Sequence, residues 1–545
     1  MNRGIERHDL VFSVGLSLVT VLSRLPYRTR MLYNWDAVQF ALALKEYDIA
    51  KHQPHPPGYI LYVLMGRLLD AWLADPNATY VTLAVVFSGL TTFTVYFLAR
   101  AIYDRPTAMV SATLLAVSPL FWFYGAVGLT YAGEALIAST LAYFAYRALD
   151  GSPGRAEVAG VWLGLAGGVR QSIVLLLFPL WLFATARGAR PWRPVVRGLL
   201  LTAAAALSWF VPMVWLTGGL GRYLGVSLRL ADSMVRPTTV GLASVDVTLA
   251  QARYVLESVI VGLGPLALAL LAIPLYARRH GWGRAERFLL VWTLPPVLVY
   301  TFVHFGQAGY VLTFLPALVI LLARVLLVTV SDYARKSPDA RARLVAPAAV
   351  VLVIVLIDGS FFVSARPAPL EFDANAAAWH RLVNEEANDW IWSRTAAALQ
   401  EHEAIVRTFV DAIRGMYEPA DTAIVTELGN PRSYPWLRHA MFYLAEYPIF
   451  QLTVDSEEHA FYSPQLASTI LPRPESEIRV PARVRQLVWF VDHWTPAMPK
   501  AAGLTEIELP YGRYLYVLRL GPRPVQYAGY TIVRERPLRA GRAAR

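Results

Sequence analysis

YNWDAVQFALALKEYDIAKHQPHPPGYILY, residues Tyr33–Tyr62, is the most polar and proline-punctuated segment in the first third of the chain. Asn34 has the side chain of a helix N-cap, which puts Asp36 in the first turn of a short helix. Asp36, Gln39, Ala43 and Glu46 then share one face, while Trp35, Val38, Phe40, Leu42 and Leu44 crowd the rest. That pattern predicts a helix lying in a membrane interface. The run His52, Gln53, Pro54, His55, Pro56, Pro57 and Gly58 stops it, with three prolines holding the histidines on a stiff bend.

The flanking chain is apolar. Hydrophobic residues make up 56% of 545 and no cysteine is present, so disulfides and thiolate metal sites are excluded. With a mean hydropathy of +0.41 this composition defines a polytopic membrane protein. The formal charge of +11 is explained by arginines in loops between spans, and nucleic acid is not an expected partner. The basic start MNRGIERHD runs into an apolar stretch with no small-residue cleavage site after it, which predicts a retained first span.

Apolar runs that can cross a bilayer are Leu10–Leu25, Tyr80–Ala99, Thr107–Tyr124, Ala132–Tyr146, Val158–Gly168, Ser172–Thr185, Val195–Leu216, Val255–Tyr276, Phe288–Val303, Tyr310–Val330 and Leu344–Val363. Tyr59–Leu73 is ambiguous, being short and carrying Arg67 and Asp70. The positive-inside rule decides it. If this run lies in the interface, the clusters Arg100/Arg105, Arg147/Arg155, Arg187/Arg190/Arg193/Arg197, Arg278/Arg279/Arg284/Arg287 and Arg335/Lys336/Arg341/Arg343 share the cytoplasmic side with Arg3 and Arg7. The expected architecture is therefore a polytopic α-helical domain over 1–363, with about eleven spans and the N-terminus inside. Residues 26–79 form its first outer loop, with two interfacial helices. Arg24, Arg28 and Arg30 are outside cations, read as lipid anchors that snorkel.

Residues 364–545 change character. A helical stretch at Ala374–Gly415 precedes strand-like runs at Thr422–Glu427, Ile449–Val454 and Leu487–Asp492, a helix at Trp436–Ala445, and a hairpin of Glu506–Leu509 with Tyr514–Leu518. This predicts an α/β domain outside the membrane. The arginine-rich tail from Arg534 is expected to be disordered.

With this topology the unusual polar residues gather at the outer face. Asp36, His52 and His55 lie in the first outer loop. LTYAGEAL places Tyr131 and Glu134 there, AGGVRQS places Arg170 and Gln171, and VHFGQAGY contributes His304, Gln307 and Tyr310. The 217–254 loop, with Arg222, Tyr223, Arg229 and Arg253, is also outside. A charge at mid-bilayer costs roughly 2.5–3.5 kcal/mol or more, and transporters accept it along a central path. Here the charges sit at span ends, which describes an interfacial reaction site better than a lipid or solute transporter. Each residue also has a bland reading: Glu134 satisfying a helix dipole, His52 and His55 as turn residues, His304 and Gln307 as loop residues.

Asp36 at the start of its helix after span one, followed by HPPGY, resembles the GT-C class of integral-membrane glycosyltransferases. The likeness is to the protein O-mannosyltransferase and lipid A aminoarabinose transferase branch. SPLFWFYGAVGLTYAGEAL, GGVRQSIVLLLFPLW and FGQAGYVLTFLPAL extend it over roughly residues 10–330. The resemblance implies an inverting transferase at the plasma (inner) membrane. It would move a sugar from a polyprenyl-phosphate donor to the hydroxyl of a glycan, lipid or protein acceptor. Asp36 matches the catalytic base, Arg170 a basic residue near the lipid phosphate, and Glu134 an acidic active-site residue. His55 stands where some relatives have a lysine, which implies contact with the donor phosphate; His52, Tyr131, His304 and Gln307 complete the implied site. Many relatives carry a second acidic residue beside the first Asp, which Asn34–Trp35–Asp36–Ala37 lacks. The spacing of Asp36, Glu134 and the histidines does not by itself make a metal site, although a divalent metal is compatible with the residue types. A membrane glycan ligase or polymerase is the nearest alternative among enzymes.

Overall fold

Acidic or hydroxyl caps followed by proline start several helices of this protein. Asp75, Asp104 and Ser118 each accept a backbone N–H three residues on, with Pro76, Pro106 and Pro119 in the first turn. The computed structural model describes residues 6–152, 154–186, 192–336, 338–365, 394–428, 436–454, 459–466, 473–491 and 503–535.

Helices α1 (Arg7–Arg24), α2 (Trp35–Lys45), α3 (Ile60–Leu73), α4 (Pro76–Ile102), α5 (Arg105–Val117), α6 (Pro119–Tyr124), α7 (Tyr131–Leu149) and α8 (Arg155–Val169) come first. They are followed by α9 (Ser172–Thr185), α10 (Trp192–Leu216), α11 (Leu220–Leu230), α12 (Val245–Leu263), α13 (Ile273–His280), α14 (Arg284–Phe302), α15 (Leu315–Ala334) and α16 (Ala340–Ser364). Every apolar run read from the sequence is helical over most of its length. Six stretches among the described residues are long and apolar enough to cross a membrane: Arg7–Tyr27, Pro76–Ile102, Trp192–Leu216, Val245–His280, Leu315–Ala334 and Val345–Ser364. Two runs are interrupted. Thr107–Tyr124 breaks at Ser118, whose hydroxyl caps α6 and donates to the Gly262 carbonyl at 2.6 Å. The run ending at Tyr276 passes through a 3₁₀ segment, Gly264–Ala272, between α12 and α13.

Helix α2 is covered by protein on its apolar side. Its apolar residues Ala37, Val38, Phe40, Ala41 and Ala43 are buried in protein, and its polar Gln39 is buried with them. Phe40 packs edge-on against Tyr59 and Tyr62, with ring centroids 5.2 and 4.9 Å away. Helix α3 keeps the amphipathic character: Tyr62, Val63 and Gly66 face inward, while Leu64, Leu68 and Trp72 are exposed. Helices α8 and α10 approach closely through small residues. The Thr202 hydroxyl donates to the Gly160 carbonyl, and the Trp209 indole to that of Gly164, each at 2.8 Å.

The C-terminal unit contains α17 (Ala396–Met416), α18 (Leu437–Tyr443) and strands β1 (Thr422–Leu428), β2 (Ile449–Thr453), β3 (Phe461–Tyr462), β4 (Glu477–Val480), β5 (Gln486–Trp489), β6 (Leu504–Leu509), β7 (Arg513–Arg519), β8 (Val525–Tyr527) and β9 (Tyr530–Arg534). A mixed six-stranded sheet has the order β3-β2-β1-β5-β7-β6, and β4-β9-β8 form a second, three-stranded sheet. β1 pairs in parallel with β2 and β5, with Ile424 opposite Ile449 and Val488. The expected strands and hairpin are present, and α17 occupies the later part of the expected helical stretch. The earlier part and the arginine-rich tail beyond 535 lie outside the described residues, although Arg534 itself ends β9.

This unit docks on the segment before and within α2. Met31 and Trp35 pack into its apolar cluster of Ile405, Phe409, Trp436 and Phe490. The Tyr443 hydroxyl accepts from the Leu32 amide at 2.8 Å, and His439 Nε2 lies 3.1 Å from the Leu32 carbonyl.

A Cβ on Gly164 would stand 2.4 Å from the Thr202 carbonyl oxygen, whereas one on Gly15 meets nothing within 4 Å. Gly164→Ala is therefore expected to lose about 1–3 kcal/mol of stability by prising α8 from α10. Gly15→Ala should be neutral or slightly stabilising in a detergent thermal melt, and equal midpoints for the two variants would contradict this packing.

Candidate active site

The site is built from three walls that meet at the start of α2. On the first, the Asn34 side chain accepts from the Ala37 amide at 3.0 Å and so fixes where the helix begins. Asp36, one residue into the helix, directs its carboxylate toward two partners. Gln307 Nε2 donates to Oδ2 at 2.9 Å, and His55 Nδ1 lies 3.5 Å from Oδ1. The same Gln307 side chain accepts from Asn34 Nδ2 at 3.2 Å, so a single amide holds both the cap and the carboxylate. The Asp36 side chain keeps 24% of its surface accessible, enough for a ligand to reach it.

His55 sits on the proline bend, where Gly58 takes φ +124° and its carbonyl accepts from the Tyr47 hydroxyl at 2.7 Å. Both imidazole nitrogens are engaged, Nδ1 with Gln39 Oε1 at 2.6 Å and Nε2 with the Tyr59 hydroxyl at 2.8 Å. Burial pushes its pKa down, and Asp36 only partly opposes this because the Arg170 and Arg438 guanidiniums act with burial. At neutral pH it is therefore an uncharged imidazole. Its one N–H is directed to Gln39 Oε1 and its other nitrogen accepts from Tyr59, so it supplies no charge to an anion.

The second wall comes from the helical bundle. Arg170 ends α8 and is buried, with Nη1 donating to Glu134 Oε1 at 2.8 Å. Glu134 lies in the first turn of α7 and also accepts from the Thr130 hydroxyl at 2.6 Å. The guanidinium stacks on Tyr310, 4.0 Å from the ring centroid, and lies 5.6 Å from that of Tyr131. Tyr310 belongs to the 3₁₀ turn Ala308–Thr313 that directly follows Gln307. The residue that grips Asp36 and the ring under Arg170 are thus carried on one short piece of chain. Gln171 joins the walls by donating to the Pro57 carbonyl at 3.1 Å.

The third wall was not foreseen. Arg438, from α18 of the C-terminal unit, is fully buried over the Trp35 ring at 5.3 Å, next to Asp36 in sequence. Its field reaches Asp36, His52 and His55. The only signal available in the sequence was an arginine and a histidine inside an otherwise apolar helix, PWLRHAMFY, in a part of the chain assigned to a separate domain.

The remaining expected residues divide. Tyr131 and Gln307 lie within the cluster. His52 closes a short 3₁₀ turn at φ 54°, beside Arg438 and His55, and burial lowers its pKa to about 3. His304 is turned toward Thr238, 3.1 Å from its hydroxyl, with a pKa near 4 through burial and Arg170. The 217–254 cations lie apart: Arg229 is exposed, Arg253 pairs with Glu257, and Arg222 reaches only Asp48. Arg24 is not a lipid anchor. It is 1% exposed, donates to the Ala116 carbonyl at 2.7 Å and lies over Phe121 and Trp122, because the Ser118 break opens carbonyls and rings toward it. Arg28 and Arg30 are exposed as expected. Among the described residues no group of three or more His, Asp or Glu is placed to hold a metal ion, and Glu134 Oε1 is already taken by Arg170 and Thr130.

A bundle of apolar helices carrying an appended α/β unit defines a multi-pass membrane protein. Residues 59–216, less than a third of the chain, match the family model for dolichyl-phosphate-mannose-protein mannosyltransferase. ArnT from Cupriavidus metallidurans bound to undecaprenyl phosphate superposes with a TM-score of 0.54 at 12% identity, over 82% of this chain and 93% of that one. Its apo structure gives 0.52 over the same shares at 12% identity. The oligosaccharyltransferase of Archaeoglobus fulgidus in complex with Zn and sulfate scores 0.47 at 14% identity, over 92% of this chain and 72% of that one, too distant to bear on chemistry. No curated protein sequence matches significantly.

Glu134→Gln leaves the buried Arg170 without its counter-charge, and a loss of roughly 3–5 kcal/mol is expected. A thermal midpoint within a degree of wild type would mean the pair carries no such role. A pH effect follows from the histidines. His52 and His439 have pKa values near 3 and His304 and His402 near 4, in each case through burial first. The unfolded chain, with ordinary values of about 6.5, binds more protons below that pH. Stability should therefore be complete above about 6.5 and fall as the pH drops toward 4. A melting series that rises on acidification from pH 7 to pH 5 would contradict these assignments.

Proposed function

We propose that this protein is an inverting glycosyltransferase that moves a sugar from a polyprenyl-phosphate donor to an acceptor hydroxyl at the outer face of the membrane. One observation carries the reading: a partly accessible carboxylate, Asp36, is held by Gln307 on the chain segment whose Tyr310 backs the Arg170 guanidinium. Sugar transfer from a lipid phosphate needs a base on the acceptor and positive charge on the leaving group, both at a membrane surface because the isoprenoid stays in lipid. Asp36 takes the hydroxyl proton as the acceptor oxygen attacks the anomeric carbon from the face opposite the phosphate. The bond from that carbon to the phosphate oxygen breaks, inverting the centre, and polyprenyl phosphate leaves with the electron pair. Arg170 faces the phosphate, and His55, fixed by Gln39 and Tyr59, lines the space beside Asp36. His52, Tyr131 and the Glu134 counter-charge shape the cavity, while His304 braces the Gln307 loop through Thr238. The undecaprenyl phosphate bound by ArnT on the same fold supports this donor class.

The membrane orientation belongs to the same reading. The domain over 1–363 crosses the inner membrane eleven times, α3 lies in the outer interface, and the unit over 364–545 is extracytoplasmic. Support comes from ion pairs at the opposite end of the bundle from Asp36. There Asp9 takes Arg105 at 2.9 Å, and Arg284 pairs with Asp150, gathering the arginine-rich helix ends on one side.

Asp36→Asn should lower turnover by about 10²–10⁴-fold while leaving membrane insertion and melting temperature unchanged. The measurement is transfer from radiolabelled polyprenyl-phosphate sugars in membranes carrying either form. Near-normal turnover by the variant would remove Asp36 from the role of base.

A further inference from the structure

We propose that Arg438 is a second anion-binding guanidinium of this site, delivered by the C-terminal unit, and that it takes a phosphate group. Its Nη1 donates to the Lys51 carbonyl at 3.1 Å and lies 3.5 Å from Met441 Sδ. Nε and Nη2 are buried and have no hydrogen-bond partner among the described residues. Those two nitrogens form one edge of the guanidinium fork, the edge that accepts a pair of oxygens side-on. A fully buried cation with that edge unsatisfied is costly in the empty protein, so the geometry points to a ligand that brings both oxygens and negative charge.

Charge accounting at the site says why this matters. Arg170 is already matched by Glu134, and the histidines are neutral. Asp36 and Arg170 with Glu134 alone would leave a net negative cavity, which repels phosphate. Arg438 brings the sum to zero and supplies the positive charge that no carboxylate neutralises by direct contact. Arg438 is fixed beside the Asp36 segment by geometry: it bonds the carbonyl of Lys51, the neighbour of His52, and lies over the ring of Trp35, the neighbour of Asp36. A phosphate on the open edge of Arg438 would therefore sit where α18 meets the segment that carries Asp36. The consequence is that the C-terminal unit completes the binding site rather than merely covering it. The phosphate chemistry is shared by a lipid-borne phosphate and a free one. Only the choice of the lipid as source rests on the transferase reading.

The test uses the full-length protein in detergent, with undecaprenyl phosphate, undecaprenol and inorganic phosphate as probes, comparing wild type with Arg438→Gln and Arg438→Lys. We expect Arg438→Gln to weaken undecaprenyl phosphate binding at least tenfold and leave undecaprenol binding unchanged, with Arg438→Lys recovering part of the loss. Without ligand, Arg438→Gln should melt at or above the wild-type temperature, because it removes an unsatisfied buried charge. A purely structural arginine would instead lower that midpoint. Loss of inorganic phosphate binding alone also supports the anion site and assigns it to a phosphate not carried by the lipid. Affinities within twofold of wild type for both phosphate probes would overturn the proposal. None of these readouts needs turnover, so failure of Asp36 as base and failure of Arg438 as phosphate ligand are seen separately.

Discussion

The Gln307 side chain spans Asn34 and Asp36, and much of the site depends on that amide. By accepting from the cap and donating to the carboxylate, it fixes the first turn of α2 against the loop before α15. The 3₁₀ turn that follows holds Tyr310 under Arg170. Segments about 270 residues apart are thereby set within hydrogen-bond distance, so the Asp36 carboxylate and the bundle's guanidinium are positioned together. A carboxylate at a helix N-terminus already has a favourable dipole. What the amide adds is direction, since one oxygen is committed and the other is left toward His55.

Electrostatics then divide the work. The bundle contributes a paired charge, Glu134 with Arg170, buried together at 2.8 Å so that breaking it would strand either charge away from water. The segment Tyr33–Tyr62 contributes Asp36 and neutral imidazoles. The C-terminal unit contributes Arg438, whose Nε and Nη2 meet no hydrogen-bond partner among the described residues. Hydrophobic docking makes this possible: Met31 and Trp35 enter the core of the C-terminal unit, and Trp35 is also the ring beneath Arg438. Packing and charge placement are thus the same contact viewed from two sides.

Much of the plan was legible in the chain. The Asn34 cap, the helix with Asp36 in its first turn, the break at the prolines and the apolar runs all follow from local rules of capping, periodicity and hydropathy. Local rules failed where partners are distant. The apolar face of α2 reads as lipid-facing because its true neighbours, Tyr59, Tyr62 and the docked C-terminal helix, come from elsewhere. Arg24 reads as a snorkelling cation because nothing nearby in sequence announces the carbonyl and rings that receive it.

By itself, the sequence determined that this is a many-helix membrane protein with a mixed α/β appendage, and that its unusual polar residues lie at the ends of helices rather than within them. Those properties are set residue by residue, through transfer free energy and backbone preference. Only the tertiary structure decided which charges face one another: that Glu134 neutralises Arg170, that Gln307 holds Asp36, and that an arginine from the appended unit lies over Trp35. Pairing energies depend on distance and burial, and neither exists until the chain has folded.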